Sequence, residues 1–100
     1  MNTYAIRREK AWSSSEELQA AATISKEIAD RDFHSEVRWI RSYVIAEDDN
    51  SLGTICIYQA TSEESIRRHS HRVGMPADEI LEIVDTVVVR PDPAPQAVAS

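Results

Sequence analysis

The densest set of groups able to do chemistry lies in Ile66-Arg67-Arg68-His69-Ser70-His71-Arg72-Val73-Gly74. Ile66, His69 and Val73 stand at i, i+3 and i+7, so they share the face of a helix that a sheet would cover. His71 is turned about 200° from His69 at ~100° per residue. One intact helix therefore does not bring both imidazoles to one ion, and the i, i+4 spacing of helical metal sites is missing. His69 has two readings. It is either a satisfied core histidine that locks helix to sheet, or a metal ligand or acid–base group in a pocket at the sheet edge, titrating near neutrality. His71 reads as a solvated surface side chain. Arg67, Arg68 and Arg72 offset the negative end of the helix dipole; the functional alternative is a small anion site.

Cys56 is the only cysteine, so it forms no internal disulfide and no cysteine-rich zinc cage. Mid-strand, it is either a small buried hydrophobe or a soft metal ligand. Trp39, Tyr43, Tyr58 and Arg67 are the candidate lining of a ligand pocket. The tyrosines either pack with their hydroxyls at a rim or bond a ligand between the sheet and its cover. Arg7, Arg8 and Glu9 put charge on both faces of one strand, so at least one points inward and needs a partner. Asp85 is the candidate. No Gly-rich phosphate loop, nucleophile elbow or Ser–His–Asp pattern is present.

The elements that must position these groups are legible in the pattern. Residues 3–10 alternate and read as a strand. Ser14 with Glu17 makes a capping box, and Leu18, Ala21, Ala22, Ser25, Ile28 and Ala29 recur at helical spacing over about 15–30. Residues 36–46 and 54–60 are rich in β-branched and aromatic side chains and form a hairpin across EDDNSLG. Thr61 with Glu64 starts a second helix that Gly74 stops. Residues 75–79 predict one further turn with Pro76 at its start, and 81–90 a last strand. The order β-α-β-β-α-β predicts an α+β, ferredoxin-like fold: an antiparallel sheet with both helices on one face. The domain spans 1–90, and the Pro-rich residues 91–100 read as a disordered tail.

Apolar residues fall on both faces of the expected strands. One parity of 36–46 gives Val37, Trp39, Tyr43 and Ile45, and the other gives Ile40 and Val44. In the last strand Ile83, Val87 and Val89 oppose Val84 and Val88. The helices cover one face only. A bare apolar sheet face is rarely left in water, so a second copy packed sheet to sheet is expected, as in a dimeric α+β barrel.

With 11 basic and 17 acidic side chains the net charge is −6, which disfavours nucleic acid and anionic membranes as partners. No apolar run suits a membrane span or a signal core, and the expected location is the cytoplasm.

Trp39-Ile40-Arg41-Ser42-Tyr43-Val44, Cys56-Ile57-Tyr58, Ile66-Arg67-Arg68-His69 and Gly74-Met75-Pro76-Ala77 resemble the DUF4242 family of small proteins. The resemblance covers about residues 3–90. It implies a ferredoxin-like fold, a dimer and, for at least one member, nickel binding. His69, Arg67, Cys56, Ser42 and Tyr43 match the family's motif positions, whereas Arg68 and His71 depart from it. The expected function is therefore a homodimeric protein binding nickel or another divalent metal, with His69 and Cys56 as candidate ligands. The alternative is a small-molecule binder, or a cofactor-poor enzyme of oxygenase, isomerase or cyclase type. A third reading is a structural dimer with no site.

Overall fold

Tyr4, Ile6 and Arg8 alternate with Thr3, Ala5 and Arg7, and in the computed structural model this period of two decides which side chains are buried. The structure describes residues 1–75 and 77–93. The elements are β1 (Asn2–Trp12), α1 (Ser15–Asp32), β2 (Val37–Ala46), β3 (Leu52–Ala60), α2 (Glu63–Val73) and β4 (Glu79–Ile83). The strands lie in the order β2-β3-β1-β4. β1 pairs antiparallel with β3 (Tyr4 opposite Tyr58, Ile6 opposite Cys56) and with β4 (Ile6 opposite Ile80). This is the ferredoxin-like α+β arrangement that the element order implies.

Both helices have caps that their sequences supply. Ser14 Oγ accepts from Glu17 N at 3.2 Å, while the Glu17 carboxylate takes the Ser13 hydroxyl instead of closing a box. The second cap is Ser62, one residue later than expected, and it accepts from Ser65 N. Gly74 ends α2 in the left-handed region at φ 71°, where a Cβ is disfavoured. The turn expected over 75–79 is absent at Met75, Ala77 and Asp78, and β4 already begins at Glu79; Pro76 lies outside the described residues.

α1 turns Ser25, Ile28 and Ala29 to the sheet, and α2 turns Ser65, Ile66, His69 and Ser70. Beneath them the core is Tyr4, Ile6, Val37, Cys56, Tyr58 and Ala60. β2 breaks its alternation once. Trp39 opposes Tyr58 and Arg41 opposes Ile57, so Ile40 is an extra residue, a β-bulge. The bulge puts Trp39 and Ser42 on the helix side together and joins them through Trp39 Nε1–H to Ser42 Oγ at 2.8 Å. Tyr43 and Ile45 go to the other face. The single parity expected for Val37, Trp39, Tyr43 and Ile45 is therefore split.

The last strand also differs from its expected span of 81–90. Thr3 opposes Ile83 and β1 begins at Asn2, so beyond Ile83 there is almost no β1 left to pair with. Val84, Val87, Val88 and Val89 run on with 91%, 87%, 73% and 80% of their surface exposed, although their composition is that of a strand. Asp92 then reaches Arg41 and accepts from Tyr43 Oη at 2.8 Å, which bridges the stretch to β2. Residues 91–93 of the expected tail are exposed, and 94–100 lie outside the described residues.

At the hairpin end of the open face, Arg7 grips Glu47 through two bonds of 3.1 Å. Glu47 also accepts from Lys10 N at 2.7 Å, where Lys10 takes a left-handed φ of 50°. Gly53 lets these groups close. A Cβ there would lie 2.3 Å from Glu47 Oε2 and 2.7 Å from the Arg8 carbonyl oxygen, which is backbone and yields little. Gly53→Ala should therefore cost about 1–3 kcal/mol in denaturant unfolding, the range for forced overpacking; an unchanged midpoint would show that the groups around Gly53 give way to a methyl without loss.

Candidate functional site

On the helix side two features adjoin: a buried polar layer and an apolar cavity. The polar layer begins with Arg8, which has no exposed surface. Its Nη2 donates to Ser70 Oγ at 3.1 Å, and its guanidinium carbon lies 6.0 Å from the Tyr58 ring centroid. Arg8 is the inward charge expected on the first strand. Asp85, its expected partner, lies past the end of β4 on an exposed stretch and accepts from Thr86 N.

His69 is also fully buried. Its Nε2 bonds the Ser25 carbonyl of α1 at 3.1 Å, so Nε2 carries the proton and Nδ1 presents a lone pair with no hydrogen-bond partner. Phe33 meets the ring edge-on at 5.6 Å, and Tyr58 lies tilted at 5.9 Å. Ser25 Oγ approaches Tyr58 Oη at 3.4 Å, so one residue of α1 reaches both α2 and the sheet. Burial lowers the His69 pKa, the Ser25 carbonyl opposes that, and Arg8 adds to the lowering. Burial raises the Tyr58 pKa, with Arg8 and Ser25 opposing.

The cavity lies beside this layer, under the first half of α1, and holds about 320 Å³. Its floor is Trp39, Val44, Thr54, Cys56 and Tyr58, and its roof is Ser15, Leu18, Gln19 and Ala22. Trp12, Ser42 and Met75 complete the lining. The gap has a local cause. In its second half α1 fills the space with Ile28, but in the first half Ser15 and Ala22 are too small to reach the sheet. Trp39 and Tyr58 lie with their ring planes 6° apart and centroids 6.1 Å apart.

Four of the expected site residues therefore share the helix side: His69, Cys56, Tyr58 and Trp39. Cys56 is a buried thiol that donates to Thr54 Oγ1 at 3.3 Å. The other two are elsewhere. Tyr43 lies on the open face beside Asp92, and Arg67 is exposed on α2, paired with Glu63. His71 is exposed, as expected. Trp12 and Ser70 were not singled out in the sequence, Ser25 was read only as part of the helical face of α1, and Ser42 only as a family motif position. The parity of Tyr4, Ile6 and Arg8, continued along β1, carries a signal for Trp12; Ser70 carries none.

A nickel ion would find part of what it needs at His69. A coordinated imidazole usually donates its other N–H to a carbonyl or carboxylate, as His69 does. The remaining donors are absent: among the described residues no group of three His, Cys, Asp or Glu could hold a metal ion. Arg8 also puts a positive charge beside the ring. The described residues of this chain therefore do not by themselves fit a nickel site.

Residues 4–83 match the family described as "Nickel responsive protein SCO4226-like". This chain belongs to that family. The DUF4242 label of the sequence resemblance is not the one this match carries, but both descriptions speak of nickel. Among solved structures, that of SCO4226 from Streptomyces coelicolor A3(2) aligns with a TM-score of 0.66 at 21% identity, covering 85% of this chain and 99% of that one. At that identity the likeness shows the shared fold. No curated protein matches. No helix among the described residues of this SCO4226-like chain is long and apolar enough to cross a membrane.

The lowered pKa of His69 makes stability depend on pH. Above the ordinary histidine value of 6.5 the ring is neutral in both folded and unfolded chains. Below it the unfolded chain takes up a proton that the buried ring refuses, so stability is lost as the pH falls. The urea midpoint should drop between about pH 7 and pH 5.5, above the range where carboxylates titrate. His69→Gln keeps a donor for the Ser25 carbonyl and should flatten that slope. An equal slope in the variant would assign the effect to other groups.

Proposed function

We propose that this chain works as a cytosolic homodimer in the nickel response for which its family is described, and that any bound ion belongs to the dimer and not to one protomer. The observation that carries the dimer is the uncovered face of the sheet. Ile45, Ile55, Ile57 and Ile83 are only half covered there, and Tyr43 and Leu81 are 43% and 53% exposed. The stretch beyond β4 borders this face, where Val87 and Val88 share a pocket with Tyr43, Ile57 and Ile83, and its four valines remain exposed. Together they form a patch of the kind that marks an association site. β2 and β4 are both edge strands, and the valine stretch has strand composition without a strand partner, so a second copy could supply one. The family description supports the link to nickel. The shortage of donors inside a protomer supports an ion held by two copies. Cys56 as a free thiol is consistent with a reducing compartment.

Sedimentation of the untagged protein should give a particle of twice 11.3 kDa. Ile57→Glu, in the middle of the open face, should give the single chain. A monomeric wild type at high concentration would end the proposal. Calorimetric titration with nickel should then give saturable heat for the wild type, the same isotherm for His69→Ala, and none for monomeric Ile57→Glu. Absence of heat from the wild type would remove direct binding. A weakened isotherm for His69→Ala would move the ion to the buried imidazole.

A further inference from the structure

We propose that the cavity beneath the first half of α1 is a binding site for a neutral, planar, largely apolar small molecule of polycyclic aromatic type. The site is separate from the nickel reading and from the open face. At about 320 Å³ it matches the lower end of small-molecule pockets, near 300 Å³. Its chemistry selects the ligand class. No carboxylate, guanidinium, ammonium or imidazole is among its lining residues, so an ion entering it would lose its hydration without gaining a partner. The nearly parallel rings of Trp39 and Tyr58 offer an aromatic wall, and Trp12 adds a second indole.

The hydrogen-bonding capacity is sparse and fixed in direction. Trp39 Nε1 is already committed to Ser42 Oγ at 2.8 Å, which orients the indole and leaves the Ser42 hydroxyl proton free to donate. Thr54 Oγ1 accepts from Cys56 Sγ and likewise keeps its proton to give. The pocket therefore suits a ligand with an acceptor, such as a carbonyl, ether or ring nitrogen. Access lies over the edge strand. Gln19 is exposed on α1, and Val44 of β2 is 38% exposed. The bulge at Ile40 is what makes the wall, because without it Ser42 would point to the opposite face from Trp39.

The two tryptophans of the chain both line the cavity, so intrinsic fluorescence reports on it directly. The probes are phenylnaphthylamine, which is neutral, and anilinonaphthalene sulfonate, which carries the same rings and a charge. Phenylnaphthylamine should saturate at one molecule per protomer with quenching of the tryptophans, and bind more tightly than the sulfonate. Ala22→Phe fills the cavity from the roof and should weaken binding about tenfold or more, with unchanged far-ultraviolet dichroism. Val44→Trp closes the entrance from the solvent side and should do the same should the first variant not fold. Ile57→Glu alters only the open face and should leave the affinity unchanged. The proposal is overturned by non-saturating binding, by tighter binding of the sulfonate, by wild-type affinity in a folded cavity variant, or by loss of binding through Ile57→Glu alone.

Discussion

A strand has two faces, and this chain has helices for only one of them. That constraint orders the whole molecule. Tyr4, Ile6, Cys56 and Tyr58 are buried because α1 and α2 lie over them, while Ile55 and Ile57, one residue away along β3, stay half covered. Burying a large apolar side chain contributes roughly 1.5–3 kcal/mol. The stabilisation available to the chain is thus limited by how much of its sheet it can cover. The exposed valines after β4 follow from the same limit: β1 is used up at Thr3, and among the described residues no other strand pairs with β4.

On the covered side, polar groups are as important as apolar ones. A guanidinium without solvent costs several kcal/mol unless its donors are met. For Arg8, Nη2 donates to the Ser70 hydroxyl and the guanidinium lies beside the face of Tyr58, which offsets part of that cost. His69 and Tyr58 in turn converge on Ser25. These contacts are directional, so they set how α1 and α2 sit on the sheet, which apolar packing alone does loosely. They also consume space that bulky residues would fill elsewhere. Where the layer ends, under Ala22 and Ser15, the helix stands off the sheet and the cavity opens.

The element order and the buried face of α2 were legible because both rest on local patterns. Ile66, His69 and Val73 share a face by spacing, and Gly74 ends the helix by its own conformational freedom. Arg8 was legible in part, since charges on both faces of a strand force one inward. The other features depend on long-range register. The bulge at Ile40 has no signature in Trp39-Ile40-Arg41, yet it moves Tyr43 to the opposite side from Trp39 and so divides the expected ligand pocket. The end of β4 depends on where β1 begins, some 80 positions earlier. Val87, Val88 and Val89 are good strand formers, and composition cannot show that β1 ends before it could pair with them. The cavity was the least legible, because it arises from residues too small to touch the sheet.

The surroundings of His69 also bear on whether its imidazole suits a metal ion. The ring has the tautomer and the orienting carbonyl of a coordinated imidazole, and its other nitrogen is buried. Such a nitrogen attracts a metal only if anionic or further neutral donors join it. Here the neighbouring rings are Phe33 and Tyr58, and the charge acting on the imidazole is that of Arg8, which disfavours a second positive charge. In a poorly solvated interior that repulsion is much larger than it would be in water. A dication therefore finds better electrostatics outside the layer, where the chain's excess of carboxylates lies. The buried imidazole lies in the layer that ties α1 and α2 to the sheet, and both its burial and Arg8 favour its neutral form.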